Sequence, residues 1–447
     1  MKIYISGISG TGMGPLALMA KQAGAEVSGS DESKGAIYDE LVEAGIDVYI
    51  GEQDGEFLRQ KLDEGVDWFV YTSALSAEHP ELKLARETGV KVSKRDELTA
   101  FLVKRLGLKM IAVAGTHGKT TTTSMIVFAA LRLGLPVSYI VGTTLGFAKS
   151  GAYHRGDKYF VYEADEYDRN FLRFSPWLAV ITCVSYDHPD IYPTREDYAA
   201  AFRQFESQSE EVVKEAVVNT SRFRLAGEAR RVDAALALEA VKRIANDYYQ
   251  NTQMLGGSAG GIGSAKRPVE DVDGGVHFIN RVMTDSDVIE VLNDFPGAGR
   301  RFERLTKGIY TDYAHHPEEI VATLDMAHDE AERHGYKGVV AVYQPHQNIR
   351  QHEVHKGYYN AFEWASKIYW LPTYLTREDP SLEILTPEDL IYDLENSSVA
   401  EPAEMNDKLF NELMGWANKG YLVILMAAGP ADAWLREKVA RRLVSGE

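Results

Sequence analysis

Ile111-Ala-Val-Ala-Gly-Thr-His-Gly-Lys-Thr-Thr-Thr-Thr-Ser124 decides the fold of this chain. A β-rich apolar run ends at Ala114, and Gly115, Thr116, His117 and Gly118 turn the chain tightly. Lys119, Thr120 and Thr121 then lead into the apolar, helix-like run Met125 to Leu133. Strand, glycine turn, Lys-Thr and helix is the plan of a phosphate-binding loop. Its backbone N–H groups and helix N-terminus cradle phosphate oxygens, the lysine adds a point charge, and a threonine hydroxyl reaches Mg²⁺. The spacing is the short, rarer form Gly-Thr-x-Gly-Lys-Thr, because Val113 stands where the commoner form has glycine. A plain glycine turn with a surface lysine is the bland alternative, and the strand-to-helix context argues against it. The segment predicts binding of a nucleoside triphosphate.

Working outward, the 447 residues carry 45% hydrophobic and 26% charged side chains, as in an ordinary globular protein of several domains. The net charge of −18 speaks against a nucleic-acid surface, which needs clustered Lys and Arg. It leaves room for a small anionic ligand held by a few local donors. The single cysteine, Cys183, falls in the apolar run Leu178 to Val184 and reads as a buried strand residue. One cysteine makes no internal disulfide, and no apolar stretch reaches a membrane span. With a start that enters a strand directly, these features predict a cytoplasmic protein without membrane insertion.

Short β-rich runs alternate with helical patterns: Lys2–Ser6, Glu26–Ser28, Trp68–Thr72, Met110–Ala114, Ser138–Val141, Tyr159–Glu163 and Leu178–Val184. Gly308–Asp312, Val339–Tyr343, Ile368–Leu371 and Tyr421–Met426 continue the series. Many are apolar on both faces, as in parallel strands covered by helices on each side, so the class is α/β. Three nucleotide-fold-like blocks separate at 1–106, 107–296 and 297–447. Gly256 to Ala265 is glycine-rich without periodicity and reads as a surface insertion.

Each block carries polar clusters at strand ends. Gly7-Ile-Ser-Gly-Thr-Gly-Met-Gly14 follows the first strand, and Asp31 ends the next. Gly10, Thr11, Gly12 and Met13 suit close approach to a pyrophosphate, and Asp31 suits a ribose hydroxyl. The glycine order departs from the strict dinucleotide fingerprint, which weakens a dehydrogenase reading. Glu163-Ala-Asp-Glu-Tyr-Asp168 and Tyr186-Asp-His-Pro-Asp190 end two further strands. Glu163 and His188, on neighbouring strand ends beside the phosphate loop, form a candidate metal site with Thr120. Pro296-Gly-Ala-Gly-Arg-Arg-Phe-Glu303 suits anion clamping, and Tyr310-Thr-Asp-Tyr-Ala-His-His-Pro317 and Tyr343-Gln-Pro-His-Gln-Asn-Ile-Arg350 suit phosphate or substrate contact.

In this order the motifs resemble the Mur ligase family, the ATP-dependent amide-forming enzymes of peptidoglycan precursor synthesis, over nearly the whole chain. The matching residues include Ser28-Gly-Ser-Asp31, Tyr71-Thr-Ser-Ala74, His79-Pro-Glu-Leu82 and Gly299-Arg-Arg-Phe302. The resemblance implies a Rossmann-like domain for the UDP-sugar, a phosphate-loop central ATPase and a Rossmann-like C-terminal domain for the amino acid. It implies ATP with Mg²⁺, and UDP-N-acetylmuramate and L-alanine as substrates of a monomer or homodimer. The branch that recycles murein tripeptide, and a non-catalytic nucleotide-binding regulator on the same scaffold, are the rival readings. Lys119 would hold phosphates, Thr120 and Glu163 the metal, and His188 a second metal or the acyl phosphate. Arg301 and Asp312 would serve the nucleotide, Ser73 the sugar nucleotide, and His316, His346 and Arg350 the amino acid. Three departures stand out. Phe202 replaces the lysine that many relatives carry, Gln347 replaces an arginine, and Gly227-Glu-Ala-Arg-Arg-Val-Asp-Ala234 lacks the usual adenine-contacting His and Asn.

Overall fold

A computed structural model describes residues 1–447 except 73–74, 189–190, 215–218, 255–268, 271–275, 278–282, 377 and 446–447. Ser73 and the glycine-rich segment 256–265 therefore lie outside the described residues. The chain divides into two compact units, Met1–Phe223 with Val232–Pro296, and Arg224–Arg231 with Gly297–Glu447.

The first unit holds two sheets. One is wholly parallel, in the order Asp47–Ile50, Glu26–Asp31, Lys2–Ser6, Trp68–Tyr71, Lys91–Lys94. The first strand sits at its centre, so the glycine turn after Ser6 opens at the carboxyl edge where strand order reverses, the usual place for a ligand. Helix Gly14–Gln22 begins there with Pro15 in its first turn, a position where the missing N–H costs nothing. The other sheet runs Glu211–Val213, Leu178–Ile181, Lys109–Ala114, Tyr159–Glu163, Val137–Ile140, Gly151–Ala152, parallel except for the last pairing. Its central strand is buried along Met110–Ala114, as its continuous apolar sequence requires. Apolar residues of both sheets and of the helices on them, from Ile3 and Leu16 to Ala112, Phe160 and Phe202, belong to one core cluster.

The strand order corrects one expectation. The Tyr159–Glu163 and Leu178–Ile181 strands are not neighbours, because the phosphate-loop strand lies between them and pairs with both. Their loops thus flank the phosphate loop on either side. Cys183 is also not a buried strand residue. The strand ends at Ile181, and Cys183 is half-buried in the segment that turns toward the phosphate loop.

The second unit has a six-stranded sheet, Glu303–Thr306, Ile309–Asp312, Leu422–Ala427, Val339–Gln344, Ala365–Trp370, Ala400–Pro402, parallel except for its first pairing. Separate core clusters cover its faces, one built around Leu324, Tyr343 and Trp370 and the other around Val342, Leu413 and Leu425. Residues 224–231 belong here by contact: Gly227 N donates to Asp329 (2.9 Å), Glu228 N to Asp325 (3.0 Å), and Arg231 pairs with Asp329 (3.1 Å). Among the described residues, no helix is long and apolar enough to cross a membrane.

Candidate active site

The phosphate loop has the backbone its glycines predict. Gly115 has φ +143° and Gly118 φ +81°, and helix Lys119–Arg132 starts directly after Gly118. A Cβ on Gly115 would lie 2.1 Å from the Thr182 hydroxyl and 2.9 Å from the Cys183 carbonyl, so only glycine fits. The helix begins earlier than the apolar run suggests, which places Thr120 and Thr121 in its first turn, where free N–H groups collect. Thr116 faces inward: its hydroxyl donates to Ser185 O (2.6 Å) and lies 2.8 Å from the Tyr198 hydroxyl. His117 N donates to Cys183 Sγ (3.3 Å), and its carbonyl accepts from the Thr182 hydroxyl. Thr116 and His117 thus anchor the loop to the segment after Ile181, their own N–H groups donating to the Cys183 carbonyl and Sγ, and a cradling role would fall to the helix N-terminus at Lys119–Thr121.

Lys119 Nζ donates to Gly115 O (2.6 Å) and pairs with Glu166 (2.8 Å). Burial pulls the ammonium pKa down, but Glu166, Asp165 and Glu163 together hold it above its usual value. Burial pushes the Glu166 carboxyl up to about 7, with Lys119 opposing and Asp165 reinforcing. His188 stands on the other side of Glu166, its Nε2 3.7 Å from Glu166 Oε1 and 3.6 Å from Asp187 Oδ2. His188 is held at φ +57°, with the Tyr167 ring edge-on at 5.1 Å. Glu166 therefore joins Lys119 to His188, a link that the sequence reading did not assign. The acidic run signalled a site without marking which carboxylate faces the lysine. Glu163 faces Thr120 instead, accepting its hydroxyl at 2.8 Å. Phe202 is core, packed on Phe171 and Tyr198.

A cavity of 630 Å³ opens at the glycine turn of the first sheet, lined by Gly10, Thr11, Gly12, Met13 and Asp31. Asp31 is fixed by Ser9 N, which donates to it at 2.9 Å. Lys94 and Arg95 also line the cavity, and neither was singled out from sequence. A Cβ on Gly12 would come 2.4 Å from the Arg95 guanidinium, so the glycine lets that cation approach the turn. Below, the Glu81 carboxylate accepts from Tyr4 (2.6 Å), Ser6 (2.5 Å), Ser30 (2.7 Å) and Gln53 (3.2 Å), tying the first two strands together under the cavity.

In the second unit, Arg300 and Arg301 both lie over the Tyr313 ring, at 4.5 and 5.0 Å. Arg300 and Phe302 have φ +56° and +51°, a strained turn for side-chain-bearing residues. Asp312 holds that turn: it is buried and accepts from Phe302 N (2.7 Å), Ala314 N (2.8 Å) and the Thr323 hydroxyl (3.1 Å). Those bonds make Asp312 a shaper of the arginine turn. His346 packs beside His315 (rings 5.8 Å apart) and Tyr374 (5.7 Å). His316 instead caps helix Pro317–His334, its N–H donating to Glu319 at 3.3 Å. Arg350 lies on helix Asn348–Val354, and its charge acts on the buried Tyr343 and Tyr358 hydroxyls.

Family models for the Mur ligase catalytic, middle and glutamate ligase domains match residues 2–106, 113–247 and 300–429. The chain belongs to the Mur ligase family. The UDP-N-acetylmuramate–L-alanine ligase of Kineococcus radiotolerans is 34% identical to it over 404 residues, 86% of this chain and 84% of that protein. The enzyme of the same name from Symbiobacterium thermophilum is 32% identical over 99% of this Mur ligase and 94% of its own length. The crystal structure of a UDP-N-acetylmuramate–alanine ligase from Thermotoga maritima shares the fold over the full length of both chains, with a TM-score of 0.72 at 22% identity.

Proposed function

We propose that this Mur ligase joins L-alanine to UDP-N-acetylmuramate at the expense of ATP, through an acyl phosphate, in the cytoplasm. The observation that carries the chemistry is the Lys119 loop, with Thr120 and Lys119 each held by a carboxylate of one strand-end loop. The acceptor and donor are inferred from the relatives' names. Residues 1–106 would bind the sugar nucleotide, 107–296 ATP, and 297–447 the amino acid.

The donor set suits the metal that such chemistry uses. A hydroxyl and a carboxylate 2.8 Å apart, Thr120 and Glu163, are the hard oxygen ligands that Mg²⁺ prefers, and when bound it would neutralise phosphate charge. Lys119 would bind the β- and γ-phosphates while the loop N–H groups orient them. The muramate carboxylate attacks the γ-phosphorus and ADP leaves; the L-alanine amine then attacks the acyl carbon and phosphate leaves. Positioning and charge neutralisation dominate such transfer. His188 would orient the acyl phosphate. Gly10 to Met13, Asp31 and Arg95 would hold the UDP moiety, and His346 and Arg350 the amino acid.

Phosphate release with ATP, Mg²⁺ and UDP-N-acetylmuramate tests this, comparing L-alanine, glycine, L-serine and murein tripeptide. Turnover that requires L-alanine is expected. Turnover with tripeptide alone would move the protein to recycling, and no release despite ATP binding would make it a regulator.

A further inference from the structure

The segment from Glu163 to Asn170 serves two sites. Glu163 and Glu166 turn to Thr120 and Lys119, whereas Asp165 and Asn170 line the cavity at the glycine turn. Between them, Asp168 and Arg169 both adopt left-handed backbone, φ +55° and +56°. Two successive side-chain-bearing residues in that region persist only where their surroundings hold them. Lys94, itself a lining residue of the cavity, forms an ion pair with Asp168. The Arg169 guanidinium lies over the Tyr192 ring at 5.0 Å, and the Tyr192 hydroxyl donates to Glu166 O at 2.6 Å. The turn around Lys94 is tied to the same region again, since the Tyr162 hydroxyl donates to Asp96 (2.9 Å) and Arg173 to Glu97 (3.3 Å).

We propose that Lys94 and Asp168 are positioning residues that couple occupancy of the sugar-nucleotide cavity to the readiness of Lys119 for phosphate. The inference rests on reading that cavity as the site of a nucleoside-diphosphate sugar. An anionic diphosphate there competes with Asp168 for Lys94. Once the pair loosens, the left-handed turn relaxes, Glu166 withdraws from Lys119, and the ammonium is released to the triphosphate. Each ligand then tightens the other by the same factor, because coupling of binding is reciprocal.

Calorimetry of a non-hydrolysable ATP analogue, with and without saturating UDP-N-acetylmuramate, reads that factor. In the natural protein the sugar nucleotide should tighten the analogue at least about fivefold, the lower end of usual coupling. Asp168→Asn keeps a side chain that tolerates left-handed backbone, and Lys94→Met removes the other charge; each should bring the factor close to one. The double variant should lower it no further, and Lys94→Arg should retain it. A factor of one in the natural protein, or a natural factor surviving in both single variants, overturns the coupling alone. Failure of the natural protein to bind UDP-N-acetylmuramate overturns the cavity reading and the coupling together.

Discussion

Lys119 is the only lysine of the phosphate loop, and its Nζ sits where the Gly115 and Thr116 carbonyls and Glu166 converge. Lys119→Ala should cost at least about 100-fold in kcat, the usual scale for losing one charge on a transferring group. Affinity for UDP-N-acetylmuramate should fall by no more than about threefold, because the 630 Å³ cavity is lined by other residues. Equal loss of both, by steady-state kinetics and calorimetry, would refute this division of labour. Glu166 carries a pH signature. Its carboxyl titrates near 7 when folded against a usual 4.5, so the folded chain binds the extra proton between those values. Stability contributed by that proton is full below about 4.5, is lost as pH rises toward 7, and changes little above. The span corresponds to about 3 kcal/mol at most. Thermal melts from pH 5 to 8 should show this fall in the natural protein and not in Glu166→Gln; parallel profiles would remove Glu166 as its source. The sequence revealed the acidic run because strand ends attract attention in α/β folds. It could not reveal that Glu166 reaches Lys119, since the left-handed turn at Asp168 and Arg169 that aims the loop has no glycine to announce it.

At the scale of elements, Gly115→Ala is the sharpest test of the loop. The new methyl would meet the Thr182 hydroxyl and Cys183 carbonyl in a backbone conformation foreign to alanine. We expect a loss of about 1–3 kcal/mol in urea unfolding, the usual cost of such strain. The surviving folded protein should bind the ATP analogue at least about tenfold more weakly, and unaltered affinity would show that the loop's shape is not what binds phosphate. The same scale separates what the sequence discloses from what it hides. Most central strands were legible because they are apolar on both faces, as along Val339–Gln344, where all residues are buried, whereas Glu26–Asp31 was read only to Ser28 because it runs polar after Val27. Asp47–Ile50, Lys91–Lys94, Glu211–Val213, Glu303–Thr306 and Ala400–Pro402 escaped notice, and all are edge strands. Edges are kept short, polar and charged against stray pairing, which erases the hydrophobic pattern by which strands are recognised. Asp47-Val-Tyr-Ile50 alternates exposed and half-buried residues, and Ala400-Glu-Pro402 has no buried residue at all.

For the molecule as a whole, the two compact units differ in their independence of sequence. The first is assembled from two sheets that share one core, so neither sheet is expected to keep its packing without the other. The second draws residues 224–231 from inside the other unit's stretch of sequence, yet its sheet is covered by core clusters built entirely from residues beyond 297. A chain of about 150 residues buries enough surface to fold alone. The fragment 297–447 should therefore unfold cooperatively in urea by itself. Among the described residues it loses partners at helix Pro317–His334, where Asp325 and Asp329 lose Gly227, Glu228 and Arg231, and Arg333 loses the Arg224 and Leu225 carbonyls. Burial in the full chain works to raise the Asp329 carboxyl, but the Gly227 N–H and Arg231 outweigh it and hold the pKa below the usual aspartate value. In the fragment that carboxyl should titrate upward to an ordinary value by NMR, while the cores around Trp370 and Leu425 keep their protection from hydrogen exchange. Glu228 is exposed and Arg231 half-buried, but Gly227 is buried, so the fragment should be less stable than this unit in the full chain by about 1–3 kcal/mol. A molten fragment, with secondary structure but no protected core amides, would instead mean that residues 224–231 are an obligatory part of the second unit.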